Sequence, residues 1–324
     1  MEVKTTVAES IDAVAEKVQY DAACKRVLSE KIILAWIMKH CMDEYKECDV
    51  NQIAAKYIVG EPVVSKVAVA PDETNADGRI RGIGTEETTL TEGTSYYDIR
   101  FYALIPDIEE QVELIINVEA QDTDHPGYPL TMRGIYYGCR TVTSQYGVEF
   151  TNAEYGKIKK VYSIWICMNP ADKRKNAIVC YELKERSLAG NVQEKPSHYD
   201  LLSVVMVYLG EERSATNNKL LRMLNVLLGT ESDAAYKKAY LQNEFAIPMT
   251  KHFEQEVSEM CNLSQGVEQR GIEKGKVIAI AEMVRDGILT QADGAKRVGL
   301  STVDFRTKAK ELGYTLYNNS PQGI

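Results

Sequence analysis

The sequence predicts a core of α/β or α+β class over residues 1–212, followed by helices to the end of the chain. Three observations predict it. Residues 10–47 contain no Gly or Pro and repeat apolar residues at helical spacing; two neighbouring runs, 96–105 and 112–121, alternate with period two; and apolar, β-rich segments follow a helical stretch at 128–147.

Leu34, Ile37 and Cys41 carry the helical spacing of the first segment. Residues 60–95 hold Gly60, Pro62, Pro71, Gly78, Gly82, Gly84 and Gly93, so short strands and turns are expected there. In the first alternating run, Tyr97, Ile99, Phe101, Ala103 and Ile105 share one face, and Asp98, Arg100 and Tyr102 share the other. In the second, Val112, Leu114, Ile116, Val118 and Ala120 form the apolar face, opposite Glu113, Asn117, Glu119 and Gln121. A turn from Asp122 to Gly127 leads into the helix at 128–147, where Pro129 is tolerated in the first turn. Val161–Cys167, Ala177–Leu183 and Leu201–Leu209 read as strands, and helices dominate from about 215 onward. The predicted divisions are a core over 1–212, a helical extension and connector over 213–276, and a small helix-turn-helix-like segment over 277–324.

The composition is that of an ordinary globular chain, with 44% apolar and 26% charged residues. The longest apolar run, Ile32 to Met38, is far short of the roughly 18 residues a membrane span needs. No secretory leader is visible in the acidic N-terminus, so a cytoplasmic location is expected. Seven cysteines without a Cys-x-x-Cys pair predict reduced thiols, and four scattered histidines argue against a zinc centre.

The net charge of −9 conceals a contrast. Residues 1–127 carry 12 Lys/Arg against 25 Asp/Glu, whereas residues 128–190 carry 10 against 5. Such a basic island is either a solvated face or a surface that meets phosphates.

The connection from Pro106 to Gln111 is short enough for a hairpin. A loop over Asp107 to Glu110 would set Asp98 directly opposite Glu119, with Gln121 projecting from the same face. Facing carboxylates at that spacing repel unless they share a proton, bind a cation or pair with a neighbour such as Arg100. Oxygen-rich pairs of this kind suit Mg²⁺, which takes one or two carboxylates and keeps several waters.

Asp98 followed by Asn117-Val118-Glu119-Ala120-Gln121 resembles the PD-(D/E)XK nuclease superfamily. In particular it is similar to the recombination-promoting nuclease (Rpn) and transposase family, in which Gln commonly replaces the motif lysine. The resemblance extends through Tyr20 to Lys31, Tyr97 to Phe101, Arg133 to Cys139, Tyr155 to Cys167 and Glu259 to Ser264. It implies a restriction-endonuclease-like αβββαβ core with a central mixed sheet, and a Mg²⁺- (or Mn²⁺-) dependent endonuclease that hydrolyses DNA phosphodiesters in recombination or mobile elements. By position it implies Asp98 and Glu119 as metal ligands and Gln121 as the group orienting water or phosphate. Glu30 and Glu86 compete as supporting acids. Neutral Gln121 departs from the lysine pattern, because it offers amide hydrogen bonds and no charge. A catalytically degenerate nucleic-acid-binding or protein-interaction protein that keeps the fold is the alternative.

On this reading Arg133, Arg140, Lys157, Lys159 and Lys160 of the basic island would contact DNA phosphates, without reading sequence. Tyr136 and Tyr137 are expected in core packing before base stacking. Thr290 and Ser301 each precede an acid by three residues, a capping pattern on either side of Gly299 that outlines a helix-turn-helix. The helical C-terminal region could also join copies of the chain into a homo-oligomer.

Overall fold

The computed structural model describes residues 19–64, 86–89, 93–96, 98–106, 111–119 and 127–316. At 63–64, 86–89, 93–96, 111–119 and 265–270 the description is of the backbone. The chain divides into two compact units, Asp21–Met260 and a second made of Cys261–Ile324 with Met1–Tyr20. The first takes in helices that sequence reasoning grouped with the connector.

Of the helix predicted over 10–47, residues 10–18 lie outside the described residues, and the rest forms two helices, α1 (19–29) and α2 (Lys31–Cys41), followed by a 3-10 turn at Asp43–Tyr45. Glu30, with φ −59° and ψ 127°, leaves the helical region and separates them. Ile33 to Met38 of α2 are buried. A short α3 (Val50–Gln52), capped by Asp49, runs through a π turn at Ile53–Tyr57 into β1 (Ile58–Val64). Strands β2 (Glu86–Thr89) and β3 (Gly93–Tyr96) form a separate two-stranded sheet. β4 (Ile99–Leu104) and β5 (Gln111–Glu119) are the predicted hairpin. Then follow α4 (Leu130–Ser144), β6 (Val161–Cys167), β7 (Ala177–Glu182) and β8 (Leu202–Tyr208).

These strands make a mixed six-stranded sheet in the order β1-β4-β5-β6-β8-β7. β1, β4 and β5 are antiparallel neighbours; β6 lies parallel to β5, and β8 parallel to β6. The crossover between β5 and β6 is α4, since parallel neighbours need a long connection. Every residue of β6 and β8 is buried, as their continuous apolar sequence requires of a central parallel pair.

α4 packs closely on β6 and β8 because two of its residues there, Gly134 and Gly138, have no side chain. A methyl group on Gly134 would come within 2.9 Å of both Trp165 Nε1 and Val204 Cγ1, and one on Gly138 within 2.4 Å of Leu202 Cδ1. Trp165 Nε1 donates to Ser163 Oγ, which in turn donates to the Gly134 carbonyl, so the buried polar atoms are satisfied within this contact. Tyr162, out of phase with Ser163, donates from the opposite face to Glu44 in the turn after α2. The sheet is thereby covered by helical segments on both faces. Helices α5 (Lys219–Leu228), α6 (Ala234–Phe245) and the start of α7 (Lys251–Arg285) complete the unit. Lys237 is fully buried, donating to the carbonyls of Leu227 and Gly229 at the C-terminus of α5.

The second unit contains the end of α7, α8 (Gln291–Arg297) and α9 (Thr302–Glu311) around Val277, Ala281, Ala295, Phe305, Ala309 and Leu316. Thr290 and Ser301 cap the two short helices, accepting from the amides of Asp293 and Asp304. Gly299 turns the chain between them at φ +70°. Among the described residues no helix is long and apolar enough to cross a membrane.

Candidate functional site

Asp98 stands immediately before β4, and one of its partners lies outside the hairpin. Lys25 Nζ of α1 lies 2.7 Å from Asp98 Oδ1 and 2.5 Å from Asp21 Oδ2, and Lys25 is only 3% exposed. Burial alone would lower the lysine's pKa, but attraction from Asp98 and then Asp21 outweighs it, and the value rises above the ordinary one. The carboxylates of Asp98 and Asp21 thus share one buried cation.

The hairpin register differs from the expected one. The ladder runs from Ile99↔Ile116 to Leu104↔Gln111. Continued by one residue, it sets Asp98 against position 117 in place of 119. The cause is Pro106, which would have closed the expected ladder; without an N–H it cannot donate a rung, and it lies in the turn. The shift is by two residues, so the alternation stays in phase. Ile99, Phe101 and Ala103 are buried on one side, as the period predicts. Glu119 ends β5 and pairs in register with Cys167; Gln121 lies outside the described residues, as does Tyr97.

The register carries the row across the sheet. Arg100 pairs with Ile115 and Ile115 with Ser163, so Arg100 and Ser163 belong to one face, the same as that of Trp165 two residues on. This is the face that α4 covers. Arg133 of α4 rests over it, with its guanidinium carbon 5.6 Å from the Trp165 ring and 5.2 Å from the Tyr137 ring. Its nitrogens donate to the Tyr128 and Tyr137 hydroxyls at 3.1 and 3.2 Å. Arg100, also on this face, is buried. Tyr102 donates to Glu149, which pairs with Lys159.

The other predicted groups are distributed differently. Glu30 lies 3.1 Å from His252 Nδ1; the acid of the first helix that shares Lys25 with Asp98 is Asp21. Glu86 begins β2, opposite Tyr96 in register. Arg140 is buried against the Tyr136 ring. The three lysines each have a carboxylate: Lys157 with Glu154 at 2.6 Å, Lys159 with Glu149, and Lys160 with Asp200 at 2.6 Å and Glu44 at 3.2 Å. Tyr137 packs against Trp165 as expected, whereas Tyr136 is exposed.

Lys25 and Asp21 were the residues sequence reasoning missed. Their one signal is an acid four residues before a base, at the border of the buried stripe Ala23, Cys24, Val27 and Leu28. That signal usually marks a solvated pair.

Among the described residues no group of three or more His, Cys, Asp or Glu side chains could hold a metal ion. No protein-family model, no curated protein and no solved structure matches the chain.

Proposed function

We propose that the chain is a metal-dependent DNA endonuclease with a restriction-endonuclease-like core of the PD-(D/E)XK type, associated with recombination or mobile elements. The observation that carries this reading is Asp98 at the mouth of an antiparallel hairpin, tied to a buried lysine of the preceding helix α1. The strand order supports it, because β1, β4 and β5 followed by α4 and a parallel β6 fits the αβββαβ pattern.

In this reading Asp98 and Glu119 would hold Mg²⁺ or Mn²⁺ through their hard carboxylate oxygens. When bound, such an ion supplies Lewis acidity and lowers the pKa of a bound water. The chain's own residues do the rest. Lys25 holds the Asp98 carboxylate in place, a charged contact that Gln121 cannot make. Gln121 donates amide hydrogen bonds to water or phosphate. Arg133 positions the phosphodiester. Water oxygen bonds to phosphorus, the phosphorus–oxygen ester bond breaks, and the water's proton passes by way of solvent to the leaving alkoxide.

Incubation of purified protein with supercoiled plasmid and Mg²⁺ or Mn²⁺ tests this reading. Wild type should nick, chelator should stop it, and Asp98→Asn should lose about a hundredfold or more in rate. Equal nicking by wild type and variant overturns it. A second reading, a degenerate protein that keeps the fold, is favoured by one observation: Asp98 already has a lysine as its cation. Calorimetric titration separates the two, since wild type that binds no Mg²⁺ or Mn²⁺ belongs to the second.

A further inference from the structure

The second unit ends in two short helices joined by a tight turn. Residues Val298 to Ser301 lie between α8 and α9, and Gly299 adopts φ +70° within them. Leu300 N donates to the Ala295 carbonyl at 3.0 Å, and Ser301 caps α9. A methyl group on Gly294 would come within 2.8 Å of Val284 Cγ2 and 3.1 Å of Phe305 Cε1, so α8 is wedged against both α7 and α9. The outline read from the capping residues folds as a helix-turn-helix with a third helix behind it.

The outer face of α9 is not used in that packing. Phe305 and Ala309 are buried in the cluster, with Leu312 packed against it. Val303, Arg306, Thr307 and Lys310 are exposed and recur at spacings of three and four, so they form one stripe on the opposite side. The acids of the helix flank this stripe on the side away from Arg306 and Lys310. Asp304 accepts from the Ser301 hydroxyl at 2.6 Å, and Glu311 is the last residue of the helix.

The cations of this hairpin are available. From 294 to 310 the chain carries five Lys/Arg against one acid, in a protein of net charge −9. Lys296, Arg297, Arg306 and Lys310 are exposed and, among the described residues, form no ion pair; the half-buried Lys308 is not one of them. Such cations are complementary to phosphates. Between them lie groups that read base edges: the fork of donors on Arg306, and the methyl groups of Val303 and Thr307. The Thr307 hydroxyl donates to the Val303 carbonyl at 2.9 Å, which leaves its oxygen as an acceptor. A helix about 10–12 Å across fits a major groove about 12 Å wide.

A second copy of the chain is the competing occupant, and charge decides against it. A twofold contact of α9 with itself would set Arg306 and Lys310 against the same cations and would bury Val303 as its one large apolar residue.

We propose that α9 is a groove helix, which enters the major groove of duplex DNA and gives the protein a preferred sequence. The assignment stands on the second unit and does not need the nuclease reading.

Selection by full-length protein, in chelator, from duplexes carrying a randomised core tests it without cleavage. Wild type should enrich a sequence and bind it about a hundredfold more tightly than the unselected pool. Arg306→Ala should lose about tenfold in affinity for the enriched duplex and, with it, the preference at one base pair. Thr307→Asp, at an exposed position in the middle of the stripe, should abolish the preference by setting a negative charge in the groove. No enrichment, or an enriched sequence that both variants leave unchanged, overturns the proposal. So does a dimer in sedimentation that Thr307→Asp splits while no sequence is enriched, which assigns α9 to a second copy. Enrichment without metal-dependent nicking of plasmid sinks the nuclease reading and leaves the groove helix; nicking without enrichment does the reverse.

Discussion

Lys25 Nζ and Asp98 Oδ1 are 2.7 Å apart, joining the first helix of the larger unit to the first strand of its hairpin. Asp21, one turn before Lys25 on the same helix, shares the ammonium. A buried ion pair of this kind contributes little relative to an apolar replacement of the whole set, but removing one partner is costly, because the remaining charges keep their desolvation penalty.

Lys25→Met should therefore destabilise the protein by about 3–5 kcal/mol, read from urea unfolding. The double variant Lys25→Met/Asp98→Asn should lose less than the single one, since one of the stranded charges is gone. A single variant within about 1 kcal/mol of wild type would show that the cation is dispensable.

Gly134→Ala tests the seat of α4 on the sheet. The added methyl meets Trp165 Nε1 and Val204 Cγ1 at 2.9 Å, and neither is the far end of a flexible chain. Overpacking costs about 1–3 kcal/mol, against a gain of about 1 kcal/mol in helix propensity. Net destabilisation is expected, seen as a lower denaturant midpoint at unchanged m-value. A rise in the midpoint would mean that the helix lifts without cost.

Glu149 gives a pH dependence of known sign. Burial would raise its pKa, but hydrogen bonds from Lys159 and Tyr102 outweigh burial, and the folded-state value falls below the ordinary carboxylate range. A carboxylate depressed in the folded state contributes stability above its unfolded pKa, which is lost as pH falls through the folded value. Glu149→Gln should thus be less stable than wild type at pH 7, with the gap closing as pH drops below about 4. Thermal melts of both proteins across that range check it; a gap that widens in acid contradicts the assignment.

Gln121→Lys follows from the proposed nuclease. A cation at this position would stabilise charge developing on the phosphate, which the amide does only through hydrogen bonds. Metal-dependent nicking should rise by about tenfold, equivalent to about 1.4 kcal/mol of barrier. A slower variant would place the amide in a role that needs its carbonyl.

Particular elements show how far the sequence reached. β6 coincides with the expected Val161–Cys167, and β8 differs from the expected Leu201–Leu209 by one residue at each end, because a continuous apolar run bounded by polar residues has few other ways to be buried. The faces of β4 followed from period two. The long N-terminal helix did not hold, since nothing in the local pattern around Glu30 announces its extended ψ. The basic island was legible as composition, but the pairing of Lys159 with Glu149 and of Lys160 with Glu44 and Asp200 was not. Net charge counts residues, and neutralisation depends on which of them meet.

By itself the sequence determined the alternation that sorts the faces of β4, the apolar content that buries β6 and β8, and the capping residues that start α8 and α9. These are short-range properties, written within a few residues of where they act. The tertiary structure decided the rest: the register of β4 on β5, whose ladder stops at Leu104 just ahead of Pro106; that Lys25 meets Asp98, because packing brings α1 to the mouth of the hairpin; and that α4 turns Tyr136 and Met132 outward, because its glycines are spent against Trp165, Val204 and Leu202. A side chain's chemistry is local, but its neighbours are set by contacts far away along the chain.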